Sequence, residues 1–80
     1  MPEKFRIQAR WDDEAKVWIA TSDDVPGLCA ESGTLEELTT VVLELAPELL
    51  VLNGVISEAE LGEVPVHITA ERDAIARRAA

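Results

Sequence analysis

WDDEAKVWIATSDDVPGLCAESGTLEEL, residues 11–38, carries the signals that decide the fold of this chain. Asp12 to Ala15 form a polar break between two apolar runs, the length of a hairpin connection built around a type I turn. Lys16 to Thr21 (KVWIAT) then reads as a strand with Val17 and Ile19 on one face. Trp18 falls on the opposite face, which places it on the outer surface or in an interface. Ser22 to Gly27 (SDDVPG) is turn chemistry: the proline holds Val25 extended, and Pro26-Gly27 supplies the fixed φ and the positive φ of a type II turn. Leu28 to Glu31 forms a short third strand. Thr34 and Glu37 stand at capping-box spacing, so a helix starts at Leu35.

Upstream, Phe5, Ile7, Ala9 and Trp11 alternate with Lys4, Arg6, Gln8 and Arg10, the period-2 pattern of a strand with one buried and one wet face. Downstream, Leu35, Leu38, Val42, Leu45, Leu49 and Leu52 make one apolar stripe about 25 Å long at ~1.5 Å per residue. Pro47 removes the amide that would reach Leu43, which predicts a kink, and Asn53-Gly54 is the stop. After a polar linker, Val64, Val66, Ile68 and Ala70 alternate with polar residues as a fourth strand. Pro65 near its start marks it as an edge.

Three meandering strands run up, down, up. The helix returns down and the fourth strand runs up beside the first through a right-handed crossover. The expectation is an α+β domain, β-β-β-α-β, with a mostly antiparallel sheet of order 3-2-1-4 and one helix on one face. All of residues 1–80 belong to this single domain, with a tail from about residue 72 that frays or forms a short helix. One sheet face stays uncovered. With Trp18 and Cys29 near it, that face or an open edge is the expected self-association surface. An 80-residue chain also sits near the lower size limit for a self-sufficient core, which points to a homodimer.

The net charge of −9 is unevenly placed. Residues 1–33 sum to −3, residues 34–63 carry seven acids and no base, and residues 64–80 sum to +1. Such a surface repels phosphate backbones, which argues against direct nucleic-acid binding, and it attracts a basic protein. Glu44 and Glu48, four apart on the helix, repel each other with no basic neighbour to offset them. Glu36, Glu37, Glu44 and Glu48 are therefore the candidate partner-binding face. The same glutamates break any apolar run of ~20 residues, so no membrane span is expected. The N-terminus lacks a secretory pattern, and a single cysteine excludes an internal disulfide framework; both suit a cytoplasmic protein.

No catalytic, cofactor or metal site is expected. Asp12 and Asp13 lie in one hairpin turn, whereas Asp23 and Asp24 lie beyond the other end of the second strand, ~20 Å away at ~3.3 Å per residue. Paired-metal chemistry needs such acids within a few ångströms of one another. His67, the only histidine, has no assured nucleophile beside it and reads as a surface or interface residue. Cys29 has no basic neighbour in its short strand and reads as a buried or half-buried apolar residue.

Trp11-Asp12-Asp13-Glu14, Asp24-Val25-Pro26-Gly27-Leu28 and Thr34-Leu35-Glu36-Glu37-Leu38, in that order and spacing, resemble the HicB-like antitoxin family, above all its short stand-alone members. The likeness covers roughly residues 4–53. The resemblance implies a partial ribonuclease-H-like fold without nuclease activity, and an antitoxin that sequesters a small, basic, RNA-cleaving toxin. Many members append a DNA-binding helix-turn-helix or ribbon-helix-helix segment. The stretch after Ala70 is too short for a complete helix-turn-helix. The alternative is a stand-alone dimeric interaction or regulatory module with no toxin partner.

Overall fold

The computed structural model describes residues 4–60 and 62–78. Its elements are β1 (Phe5–Asp12), β2 (Val17–Thr21), β3 (Cys29–Ser32), α1 (Leu35–Leu52) and β4 (Val66–Glu71), with a single 3₁₀ turn at Glu58–Glu60. The four strands form one sheet in the order β3-β2-β1-β4. β2 runs antiparallel to β1 and β3, and β4 runs parallel to β1. The architecture is the expected α+β arrangement, and Pro65 indeed precedes an edge strand.

Register explains why the helix can lie close to the sheet. Ala30 stands opposite Ala20, Ala20 opposite Ala9, and Ala9 opposite Ala70, so a row of four alanines crosses all four strands at one level. Ala9, Ala20 and Ala30 are buried together with Ala46 of α1. Around them the core is built from Phe5, Ile7, Val25, Leu28, Leu38, Val42, Leu50 and Ile56. Fully burying each large aliphatic side chain of this set contributes about 1.5–3 kcal/mol. The helix lies over β2 and β3. On β4, Val66 and Ile68 therefore stay half-buried and Ala70 exposed.

The helix ends behave largely as their residues dictate. Thr34 Oγ1 accepts the amide of Glu37 at 3.1 Å, while the return bond from the Glu37 side chain is not made. At the other end, the amide of Val55 donates to the Leu50 carbonyl at 2.8 Å and that of Gly54 to Val51 at 3.0 Å. With Gly54 at φ 71°, this is a Schellman stop. Leu38, Val42, Ala46 and Leu50 form the buried line, not the stripe ending in Leu52, which is 80 % exposed. A spacing of four drifts by about 40° per step around the helix, so the buried line winds as α1 crosses the sheet obliquely. The helix continues through Pro47. Leu43, whose carbonyl loses its partner to the proline, is itself exposed, so water can take that bond.

The Val25-Pro26-Gly27-Leu28 turn is type II as expected, with Gly27 at φ 80° and the Leu28 amide bonded to the Val25 carbonyl at 3.2 Å. Asn53 Nδ2 donates to the Pro26 carbonyl at 3.2 Å and the Leu49 carbonyl at 2.9 Å, tying this turn to the end of α1. The aspartate and serine before the turn do more than bend the chain. Ser22 Oγ donates to the Arg6 carbonyl at 2.5 Å, and the Asp24 carboxylate accepts the Arg6 amide at 2.8 Å. Side chains thus extend the β1–β2 ladder past its last backbone pair, Gln8 and Thr21.

Two expectations fail here. Trp18 stands opposite Trp11 and Ser32 on the helix side of the sheet, with Ala20, and packs against the core. Val17 and Ile19 take the open face. In VWIA both faces of the strand are apolar, and the close helix requires the small Ala20 beneath it; strand parity then carries Trp18 to the same side. Cys29 is exposed, because it lies opposite Thr21 on the uncovered face. The stretch from Arg72 to Arg78 forms no helix and is exposed throughout. Positions 79 and 80 of the expected tail lie outside the described residues.

Candidate functional site

On an α-helix, residues seven apart return to within about 20° of one another and residues four apart to within about 40°. Glu37, Glu44 and Glu48 therefore share one line along α1, and all three are exposed. Glu36 is also exposed but lies about 100° around from Glu37, outside that line. Between Glu37 and Glu44, Thr39 Oγ1 donates to the Leu35 carbonyl at 2.9 Å and Thr40 Oγ1 to the Glu36 carbonyl at 3.2 Å. No lysine or arginine occurs between Lys16 and Arg72, so nothing basic in the segment neutralises these charges.

The uncovered sheet face is mixed in charge, with Val17 and Ile19 of β2 as its apolar part. Arg6, Gln8 and Arg10 run down its centre, flanked by His67, Thr69 and Glu71 on β4. Gln8, Arg10, Thr21, Asp23, Thr69 and Glu71 border an open depression of about 480 Å³. The acids singled out in the sequence separate as expected: Asp23 borders this depression, whereas Asp12, Asp13 and Glu14 border another beside Trp11. Among the described residues, no three of His, Cys, Asp and Glu converge on a point that could hold a metal ion. No helix among them is long and apolar enough to cross a membrane.

The Trp-Asp-Asp motif closes one end of the sheet. Trp11 and Trp18 meet edge to face, with ring centroids 5.6 Å apart at 63°. The Arg72 guanidinium sits 4.3 Å from the Trp11 ring centroid, a cation–π contact that ties the end of β4 to the hairpin. Asp13 Oδ1 accepts from Lys16 Nζ at 3.0 Å and from the Trp11 indole at 3.2 Å. These two donors hold the Asp13 carboxyl below the ordinary aspartate value. A carboxylate favoured in the folded state stabilises the fold above the ordinary pKa, and the benefit disappears as pH falls through the lowered one. NMR titration is expected to give Asp13 a midpoint below that of a free aspartate, with the Trp11 indole resonance following it. Lys16→Met should move the midpoint upward; no movement would mean that the lysine contact has no effect in solution.

Asp12 completes the loop by accepting the amides of Glu14 and Ala15 at 3.0 and 3.2 Å. Lys16, at φ 58°, turns the chain into β2. Every motif that marked the sequence is thus used for turns, caps and strand ends. The row of glutamates, the open face and the free β4 edge are left as surfaces with no internal role.

Over residues 4–79 the chain matches a family described as a domain of unknown function, DUF1902. The chain belongs to the DUF1902 family. A crystal structure of the hypothetical protein TTHA1013 from the extremely thermophilic bacterium Thermus thermophilus resembles this DUF1902 chain with a TM-score of 0.69 and 43 % identity, covering 95 % of this chain and 100 % of the other. No curated protein matches it. The DUF1902 match spans β1 through β4 together with the exposed stretch that follows.

Proposed function

We propose that this DUF1902 chain is a non-enzymatic, HicB-like protein of the cytoplasm that binds and neutralises a small basic RNA-cleaving toxin through α1. The observation that carries the reading is the exposed Glu37, Glu44 and Glu48 line on a helix with no basic residue. The like charges of Glu44 and Glu48, four apart, cost the helix a few tenths of a kcal/mol, and a basic partner turns that cost into attraction. The order and spacing of the turn and cap motifs support the family resemblance. Such a surface acts mainly on association rate and on partner choice.

The test starts with the untagged chain purified from its native cell and the basic protein that stays bound at moderate salt. Glu37→Lys together with Glu44→Lys is expected to weaken that complex by on the order of tenfold or more at low salt, mostly through association rate. Both residues are exposed, so the fold should tolerate the change. Equal affinity before and after would remove the acidic face from the reading. If only self-association is found, the second reading stands: a dimeric interaction or regulatory module without a toxin. That reading is favoured by the half-buried Val66 and Ile68 on the free edge.

A further inference from the structure

We propose that the chain forms a two-fold dimer in which β4 pairs antiparallel with β4 of a second copy, and residues 72–78 of each copy lie in the groove beside the end of α1 of the other, with Ile75 against Leu52. The groove shares Glu48 with the acidic line of the toxin reading, but the dimer does not rest on that reading.

It starts from the two edges of the sheet. β3 has four residues, too few to be a strong template. β4 offers six, Val66 to Glu71, with no proline or lysine along them, and so lacks the usual protection of an exposed edge. A strand pairing antiparallel with its own copy is self-complementary and closes at two. Such pairing places both helices on the same side of one continuous sheet. The half-buried Val66 and Ile68, which α1 leaves uncovered because it lies over β2 and β3, would then meet their counterparts.

The stretch after β4 provides the second half. Its residues 72–78 are all exposed and carry three arginines and one aspartate. They help to draw the molecule out to 59 × 22 × 18 Å, with a radius of gyration of 14.9 Å, against ~12 Å for a compact chain of this length. Ile75, 81 % exposed, and Leu52, 80 % exposed, are the two most exposed large apolar residues described. Leu52 belongs to a groove of about 320 Å³ formed with Pro47, Glu48, Val51 and Glu58. The groove is apolar at its floor and acidic at its rim; the arm is basic around one isoleucine.

Direction makes the two meet between copies. α1 runs opposite to β4, so its last turn lies at the end of the sheet where β4 begins. In an antiparallel pair, with Val66 of one copy facing Ala70 of the other and Ile68 facing its own copy, cross-strand partners share a sheet face, and each arm leaves its strand at that same end of its neighbour. Four extended residues beyond Glu71 carry Ile75 up to ~13 Å further. Within one copy the arm points away from the groove, held at its root by Arg72 on Trp11.

Analytical ultracentrifugation of the full chain at micromolar concentration is expected to show a dimer. Ile75→Asp should weaken dimerisation at least tenfold, and more so when combined with Arg77→Glu and Arg78→Glu. As Ile75 is exposed in the single copy, these variants should keep its circular dichroism spectrum. In a Cys29→Ser background, Leu52→Cys with Ile75→Cys should give a covalent dimer on mild oxidation, while either cysteine alone should not. A chain that stays monomeric at 100-fold higher concentration, a dimer indifferent to Ile75→Asp, or a double-cysteine variant that does not cross-link would each overturn the proposal. The toxin test reads Glu37 and Glu44, which lie outside the groove, so the two fail separately.

Discussion

Ile7→Ala is expected to lower the melting temperature by on the order of 10–30 °C. Ile7 is fully buried in the central strand β1, paired on one side with β2 and on the other with β4. Removing three carbons there forfeits burial and leaves a cavity that close hydrogen-bonded strands cannot collapse around, which costs about 2–5 kcal/mol. In a domain of 80 residues each kcal/mol moves the midpoint by roughly 4–8 °C. The stability of such a small domain is itself only about 5–15 kcal/mol, so the loss removes a large share of it. A thermal melt followed by circular dichroism measures this directly. A shift of only a few degrees would mean that the space beside Ile7 is filled by rearrangement.

Ala20→Leu should be nearly as damaging for the opposite reason. Ala20 is fully buried in the middle of the alanine row, on a strand that α1 covers. Three added carbons have nowhere to go unless the helix lifts or side chains leave their rotamers, a cost of about 1–3 kcal/mol or more. The neighbouring Thr21→Leu provides the control, because Thr21 is exposed on the open face and surface changes usually stay within about 0.5 kcal/mol. The two variants differ by one position and add a leucine to opposite sides of one strand. Comparable losses at both positions would contradict the placement of the helix.

Much of the fold is legible because its signals are local. Thr34 caps, Pro26-Gly27 turns and Asn53-Gly54 stops with the neighbours that their chemistry demands, and the alternation from Phe5 to Ala9 admits one buried face. Trp18 is misread for want of such contrast. Its strand is apolar on both sides, and the residue that decides between them is the small Ala20, whose importance shows only once Ala9, Ala30 and Ala70 stand beside it. Leu52 is misplaced for a related reason: a stripe read at constant azimuth takes no account of a helix crossing its sheet at an angle. Of the four glutamates, three share a line and Glu36 does not, a distinction that helical geometry alone makes. The groove beside Leu52 and the direction of the arm are beyond reach, since both depend on where distant segments end.

The partner of Phe5 across the sheet is Val66, 61 positions later in the chain. During synthesis, β1 is made first and its outer edge must wait for almost everything else. A nascent chain that has reached Asn53 can form the hairpin, β3 and the helix, yet still shows Phe5 to Arg10 as an unpaired edge. Closure over so long a loop is slow compared with hairpin or helix formation. The waiting edge is therefore the point at which a stalled or truncated chain would recruit another strand, and where a ribosome-associated chaperone would have the most to protect.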